Sequence, residues 1–249
     1  MTVGYEVTDG IAYLSFNRPE KHNALRDEDV LGLISALERL DQDDDAQIGV
    51  LFGQGRSFSS GGDVKDRLQR SMEEGSTGGR AHEREAFLNT VNWKPVIAAT
   101  HGYCLGHALG TALFCDAIVA ARNTLFQVVE IKIGLPMASF VPRLGKAAFA
   151  NEVCLTGRMF TAAEGLDAGF VTRLVEDGEH VREATALARL ILENPQPAVR
   201  EHVRVRRLVA ARDVSRFGDP SAAFVDNWTS NTAAQAAVAA RTAGLAAKS

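Results

Sequence analysis

Cysteine is scarce in this sequence, with three among 249 residues, at positions 104, 115 and 154. They are odd in number, lie in apolar surroundings and match no metal-ligand spacing. They read as buried reduced thiols in a reducing compartment, with no sign of a disulfide framework or a metal site. Neither sign of charge is in large surplus. The 27 lysines and arginines face 31 aspartates and glutamates, a net charge of −4, so no basic patch is strong enough to imply nucleic acid or an anionic membrane as partner. The opening MTVGYEVTDG lacks a basic region leading into an apolar core, so no signal peptide is expected and the chain is expected in the cytoplasm. Pro95 to Cys115 carries no formal charge and is just long enough to span a bilayer. Its three glycines, two histidines and one proline make it too polar for that, and a buried strand, turn and helix is the better reading. There is no internal repeat and no low-complexity tract.

What is present is the composition of an ordinary globular protein, 46% apolar and 23% charged, long enough to bury a sizeable core as one large domain or two small ones. VGYEVTDGIAYLSFNRP alternates apolar and polar residues about Asp9-Gly10, which predicts a hairpin with strands near 3–8 and 10–17. After Asp27, apolar residues at 30, 31, 33, 34, 37 and 40 predict an amphipathic helix ending in DQDDD, and IGVLFG predicts a buried strand. The order then repeats, with a helical region from about 63, a strand at PVIAAT, a helix after Gly106 and a strand near 116–121. Strands alternating with helices point to an α/β fold with parallel pairing. Further on, 161–168, 177–193 and 196–212 look helical, with a short strand in FVTRLV and an alanine-rich, helical tail over 221–247. RSMEEGSTGGR (70–80) reads as a surface loop or lid, and SRFGDPS (215–221) as the separator of the last two helical regions.

Two stretches carry chemistry. GRSFSSGGD (55–63) follows one strand and HGYCLGHALG (101–110) follows another. Glycines after a strand let the backbone turn sharply, and the first N–H groups of a helix have no internal acceptor, so such turns attract negative charge. A plain strand-to-helix connection explains either one alone. Two of them on adjacent parallel strands are able to aim two N–H groups at one oxygen, which stabilises an oxyanion. Downstream, Glu130 sits among apolar residues in LFQVVEIKIGLP, a setting that raises a carboxyl pKa and suits a general base or acid. A surface glutamate paired with Lys132 is the plainer alternative. Ser59 and Ser60 fit no nucleophile-elbow pattern, which leaves a serine hydrolase remote.

NRPEKHNAL (17–25), GRSFSSGGD (55–63), HGYCLGHALGTALFCD (101–116), FQVVEIKIGLP (126–136) and LTGRMFTAAEGLDAGFVTRLV (155–175) occur in the order and spacing of the enoyl-CoA hydratase/isomerase, or crotonase, superfamily. The resemblance spans about residues 5 to 210. It implies an α/β spiral of β-β-α units in two roughly perpendicular sheets over 1–195. A helical region over 196–249 would serve oligomerisation and cover the site, in a homotrimer or a dimer of trimers. The implied substrate is an acyl-CoA thioester, whose coenzyme A is part of the substrate, so no separate cofactor is expected. By motif, its carbonyl oxygen lies between the N–H groups of Gly62 and His107, with Glu130 as the catalytic carboxylate. Lys21, His22 and Ala24 border the CoA phosphates, Ser60, Asp63, Val64 and Lys65 flank the adenine and pantetheine, and Gly106 forms the second turn. FVDNWTSNTAAQ, in the tail, departs from the usual signature.

Typical hydratases of the superfamily hold a water between two glutamates. One falls at Glu130 and the other at Gly110, which has no side chain. That favours moving a double bond from a 3-enoyl-CoA to a 2-enoyl-CoA with a single base. Hydration or dehydration with His107 or another group as second acid, and a non-catalytic acyl-CoA-binding protein, are the alternatives. The His107 imidazole itself has a plainer reading, turned into the core or toward a subunit interface. Leu68, Phe87, Leu135 and Phe140 are candidates for the acyl pocket, though core packing explains each equally well.

Overall fold

Asp9 and Gly10 both take positive φ, 51° and 77°, the backbone that closes a two-residue hairpin without splaying its strands. The computed structural model describes residues 3–63, 90–134 and 142–217, with 209–217 as backbone. The hairpin joins β1 (Val3–Thr8) to β2 (Ile11–Phe16), antiparallel, with Thr8 opposite Ile11. Helix α1 (Asp27–Gln42) follows and buries the face formed by Val30, Leu33, Ala36, Leu37 and Leu40. It returns the chain to β3 (Ile48–Gly53), parallel to β2. The strand β4 (Val96–Thr100) lies parallel beside β3, so the two glycine turns do leave adjacent parallel strands.

After β4 the chain makes a second, short strand before any helix. Strand β5 (Tyr103–Leu105) leads through Gly106 into α2 (His107–Phe114), one short strand more than the strand, turn and helix that the sequence predicts. The next pair is β6 (Ala117–Ala121) and β7 (Leu125–Gln127), followed by a 3-10 turn at Glu130–Ile133. Then come α3 (Ala147–Thr156), β8 (Met159–Thr161), α4 (Ala162–Ala168), β9 (Arg173–Val175), α5 (His180–Leu192) and α6 (Gln196–Phe217). Ser215 to Phe217 thus continue a helix instead of separating two. The helical region from 63, the 70–80 loop and the 221–247 tail lie outside the described residues.

Two sheets result. The larger has the order β1-β2-β3-β4-β6-β9, parallel apart from the first pair, and the smaller has the order β5-β7-β8. The pairs β4/β5 and β6/β7 each give one strand to each sheet, which is the β-β-α unit of a spiral. Both faces of the larger sheet are covered, as expected of parallel strands. Leu14, Leu51, Val96, Ala98 and Ala120 join α1 and the small sheet in one core, while Ile48, Val50, Ile97 and Val119 meet Ala184 and Ala188 of α5 in another. Cys104, Phe126 and Phe160 stand in register across the small sheet, all buried, and Ser59 extends that row by a bridge to Cys104. Cys115 is buried as well and Cys154 half-buried, and all three cysteines are free thiols. Helix α6 is tied back by Arg200 to Asp41 (3.0 Å) and by Arg206 and Arg207 to Asp116. No helix among the described residues is long and apolar enough to cross a membrane.

Candidate active site

Between β2 and α1 the chain passes through a 3-10 turn at Pro19–Lys21 and then two consecutive left-handed residues, His22 (φ 49°) and Asn23 (φ 53°). Non-glycine residues rarely hold such angles unless their surroundings enforce them. Here the buried Asn23 amide does so. Its oxygen accepts the Arg18 N–H at 2.8 Å, and its nitrogen donates to the carbonyls of Gln54 (2.9 Å) and Ser57 (2.8 Å). The loop after β3 is thereby bound to the loop after β2. Ser60 N–H donates to His22 O, Leu25 N–H to Gly61 O and Asp63 N–H to Leu25 O, each within 2.9 Å, and Leu25 and Gly62 pair as a parallel bridge.

The loop after β3 also touches the second turn. Ser59 N–H donates to Tyr103 O at 2.8 Å and Leu105 N–H donates to Ser59 O at 3.1 Å. Gly61 has φ 88°, and a Cβ built there would lie 2.5 Å from Leu105 O and 3.6 Å from the His107 nitrogen. Only glycine permits that approach. The Gly106 N–H is used by Gln127 O (2.8 Å), which turns the chain into α2 with His107 at its first position, where the helix supplies no acceptor for the N–H. Gly62 and His107 are both half-buried, and Gly110 is buried within α2, its N–H donating to Gly106 O at 2.9 Å.

Glu130 opens the 3-10 turn after β7 and is 9% exposed, so it is no surface residue. Pairing of Leu105 with Gln127 carries β5 and β7 forward together, and the Gln127 side chain fixes the exit by donating to Gly157 O at 2.6 Å. A Cβ on Gly106 would stand 2.6 Å from Glu130 Oε1. The carboxylate therefore rests on the turn that presents His107. Cys154 of α3 lies nearby: burial pushes its thiol up, and the Glu130 charge adds to the effect. A proton acceptor beside a helix-start N–H group is an arrangement able to remove a proton next to a carbonyl and help hold the resulting oxyanion.

The other expected site residues that are described lie on the loops after β2 and after β3. Lys21 is exposed at the end of its 3-10 turn, and the half-buried Ala24 accepts a hydrogen bond from Arg18 Nη1 at 2.7 Å. His22 Nδ1 lies 2.9 Å from Ser57 Oγ, with its ring edge-on to Tyr103. Ser60 is half-buried, and the Asp63 carboxylate meets Arg18 at 3.4 Å. Val64, Lys65, Leu68, Phe87, Leu135 and Phe140 lie outside the described residues. Sequence reasoning passed over Asn23 and Gly61. It weighed Ser59 only as a nucleophile, although Ser59 and Asn23 take part in five of the cross-loop bonds. The one available signal was Asn23 itself, a residue type that tolerates the left-handed region.

Comparison with known proteins gives the chain its family. Residues 6–211 match the family described as enoyl-CoA hydratase/isomerase. The chain is 36% identical over 182 residues to (E)-benzylidenesuccinyl-CoA hydratase of Thauera aromatica, covering 71% of this chain and 70% of that one. It is 26% identical to the mitochondrial Delta(3,5)-Delta(2,4)-dienoyl-CoA isomerase of Mus musculus, over 88% of this chain and 71% of the other. The crystal structure of enoyl-CoA hydratase from Mycobacterium smegmatis superposes with a TM-score of 0.79 at 26% identity, covering 93% of this chain and all of that one. The chain belongs to the enoyl-CoA hydratase/isomerase family.

Proposed function

We propose that the protein moves the double bond of a 3-enoyl-CoA into conjugation with the thioester, using Glu130 as the single base. The observation that carries this reading is the contact of Glu130 Oε1 with Gly106, one residue before His107. The carboxylate takes a proton from the α-carbon, the electrons spread through the carbonyl and the adjacent double bond, and the N–H groups of Gly62 and His107 hold the thioester oxygen as it gains charge. Glu130 then returns the proton to the γ-carbon, so a 2-enoyl-CoA leaves and the base is regenerated. Each well-aimed donor in comparable sites is worth about 3 kcal/mol. Lys21 and His22 border the path of the CoA phosphates, by the family's motif. Gly110 supports a reaction without a bound water, because no side chain at that position is available to help hold one.

A second reading, hydration of a 2-enoyl-CoA with a non-standard second acid, is favoured by the hydratase name of the relative from Thauera aromatica. The two readings share Glu130 and separate on water uptake. In the isomerase reading, Glu130→Gln lowers turnover of a 3-enoyl-CoA by about 10²–10⁴-fold, the contribution usual for a positioned acid-base group. Binding of a saturated acyl-CoA changes little. Steady-state rates and calorimetric titration check the two halves, and wild-type turnover by the variant excludes Glu130 as the base.

A further inference from the structure

We infer that Ser59 is the positioning residue that sets the spacing and tilt of the two backbone donors. The inference rests on the oxyanion site proposed above and deepens it. Ser59 is fully buried, and every one of its hydrogen-bonding atoms is engaged within the site. Its N–H donates to Tyr103 O (2.8 Å) and its carbonyl accepts from Leu105 N–H (3.1 Å), which fixes it to β5, the strand that runs into Gly106 and His107. Its hydroxyl donates to Asn23 O at 2.7 Å and accepts the Gly61 N–H at 3.1 Å. One residue thus joins the loop before α1, the first glycine turn and the strand leading to the second.

The consequence for Gly62 follows from peptide geometry. In a trans peptide the C=O of one residue and the N–H of the next point in opposite directions in one plane. Gly61 O is held by Leu25 N–H at 2.8 Å, so the Gly62 N–H on the same plane is directed away from the loop that contains Leu25. That plane is joined through Gly61, a residue with no side chain to limit rotation, to the preceding peptide plane, whose Gly61 N–H is anchored by Ser59 Oγ, so the two planes are tied on both sides of the flexible residue. Ser59 also sits between the turns, so the distance from Gly62 to His107 passes through its backbone. Oxyanion donors act within a narrow range, 2.7–3.1 Å from the developing charge, so a small tilt is felt in the rate before it is felt in binding. Because the hydroxyl proton is committed to Asn23 O, Ser59 is a strut and no nucleophile.

The test compares wild type with Ser59→Ala, which removes both hydroxyl bonds, and Ser59→Cys, which keeps a weaker donor and acceptor. Two readouts are taken: the kcat and KM of the enoyl-CoA reaction, and the infrared carbonyl stretch of a bound saturated acyl-CoA, which falls in frequency when donors polarise it. In Ser59→Ala, kcat falls by roughly tenfold or more, short of the 10²–10³ that follows loss of a donor outright. KM stays within about threefold and the carbonyl shift shrinks, with Ser59→Cys between the two on both readouts. If Ser59→Ala fails to fold, Ser59→Cys carries the same comparison with wild type. A carbonyl shift that persists undiminished in the folded variant, or an equal loss of binding and turnover, overturns the strut. A wild-type protein that binds acyl-CoA with no carbonyl shift overturns the oxyanion reading itself, and the strut with it.

Discussion

Gly106 concentrates the physical argument at the scale of single residues. Its φ of 53° and ψ of −121° suit glycine, and a Cβ there would lie 2.6 Å from both Glu130 Oε1 and Val129 Cγ2. Gly106→Ala is therefore expected to displace the Glu130 carboxylate and lower kcat by about 10²-fold or more, as a misplacement of 1 Å does elsewhere. A modest loss of thermal stability accompanies it, and kinetics beside a melting curve separate the two. Undisturbed turnover in this variant contradicts the placement of Glu130 against the turn. Much of this was legible in the sequence. A carboxylate among apolar residues and glycines after strands are local signals, and both led to residues that meet in space. The Ser59 and Asn23 bonds were not legible, because a serine hydroxyl that joins a residue 36 positions away leaves no pattern along the chain.

Among the elements, α6 shows how charge substitutes for apolar packing. Arg206 and Arg207 both reach Asp116, and Asp116 Oδ2 also accepts the Val96 N–H at 2.8 Å, so one carboxylate holds the start of β4 and the last helix together. Arg207 and Asp116 are only 15% and 14% exposed. Breaking a pair this sheltered leaves an uncompensated charge, and Asp116→Ala is expected to cost about 3 kcal/mol. A urea titration checks this, and a change below 1 kcal/mol contradicts it. The hairpin, α1, β3 and β4 were readable because each is long enough to show a period of 2 or 3.6. Strands β5 and β8, of three residues each, are too short for any period to show. They exist because β7 offers both of its edges and because Cys104, Phe126 and Phe160 gain a shared core. The reach of α6 to Phe217 was likewise hidden, since its anchors, Asp41 and Asp116, lie far back in the chain.

At the scale of the whole molecule, the larger sheet is clamped between two cores, and a pair of histidines packs where β4 ends and α5 begins. His101, at the end of β4, stacks on His180, at the start of α5, with ring centres 4.2 Å apart, and donates from Nε2 to Gly55 O at 2.9 Å. Their Nδ1 atoms are buried without a hydrogen-bond partner among the described residues. Burial lowers both pKa values, the neighbouring His101 adding to the effect on His180 and Asp177 opposing it, so that His180 is held down to about 4. The unfolded chain takes up these protons near pH 6.5. Stability from this pair is thus intact above that value and is lost as the pH falls toward 4. His180→Phe should flatten the fall in melting temperature over that interval relative to wild type, and parallel curves contradict the assignment. The chemistry itself is tested most directly by mass spectrometry of the product formed from a 3-enoyl-CoA by the wild-type protein in H2(18)O. A 2-enoyl-CoA of unchanged mass, formed faster than any hydroxyacyl-CoA, is the predicted result. Labelled 3-hydroxyacyl-CoA as the first product, or no conversion by a protein that binds the thioester, contradicts a single-base isomerase.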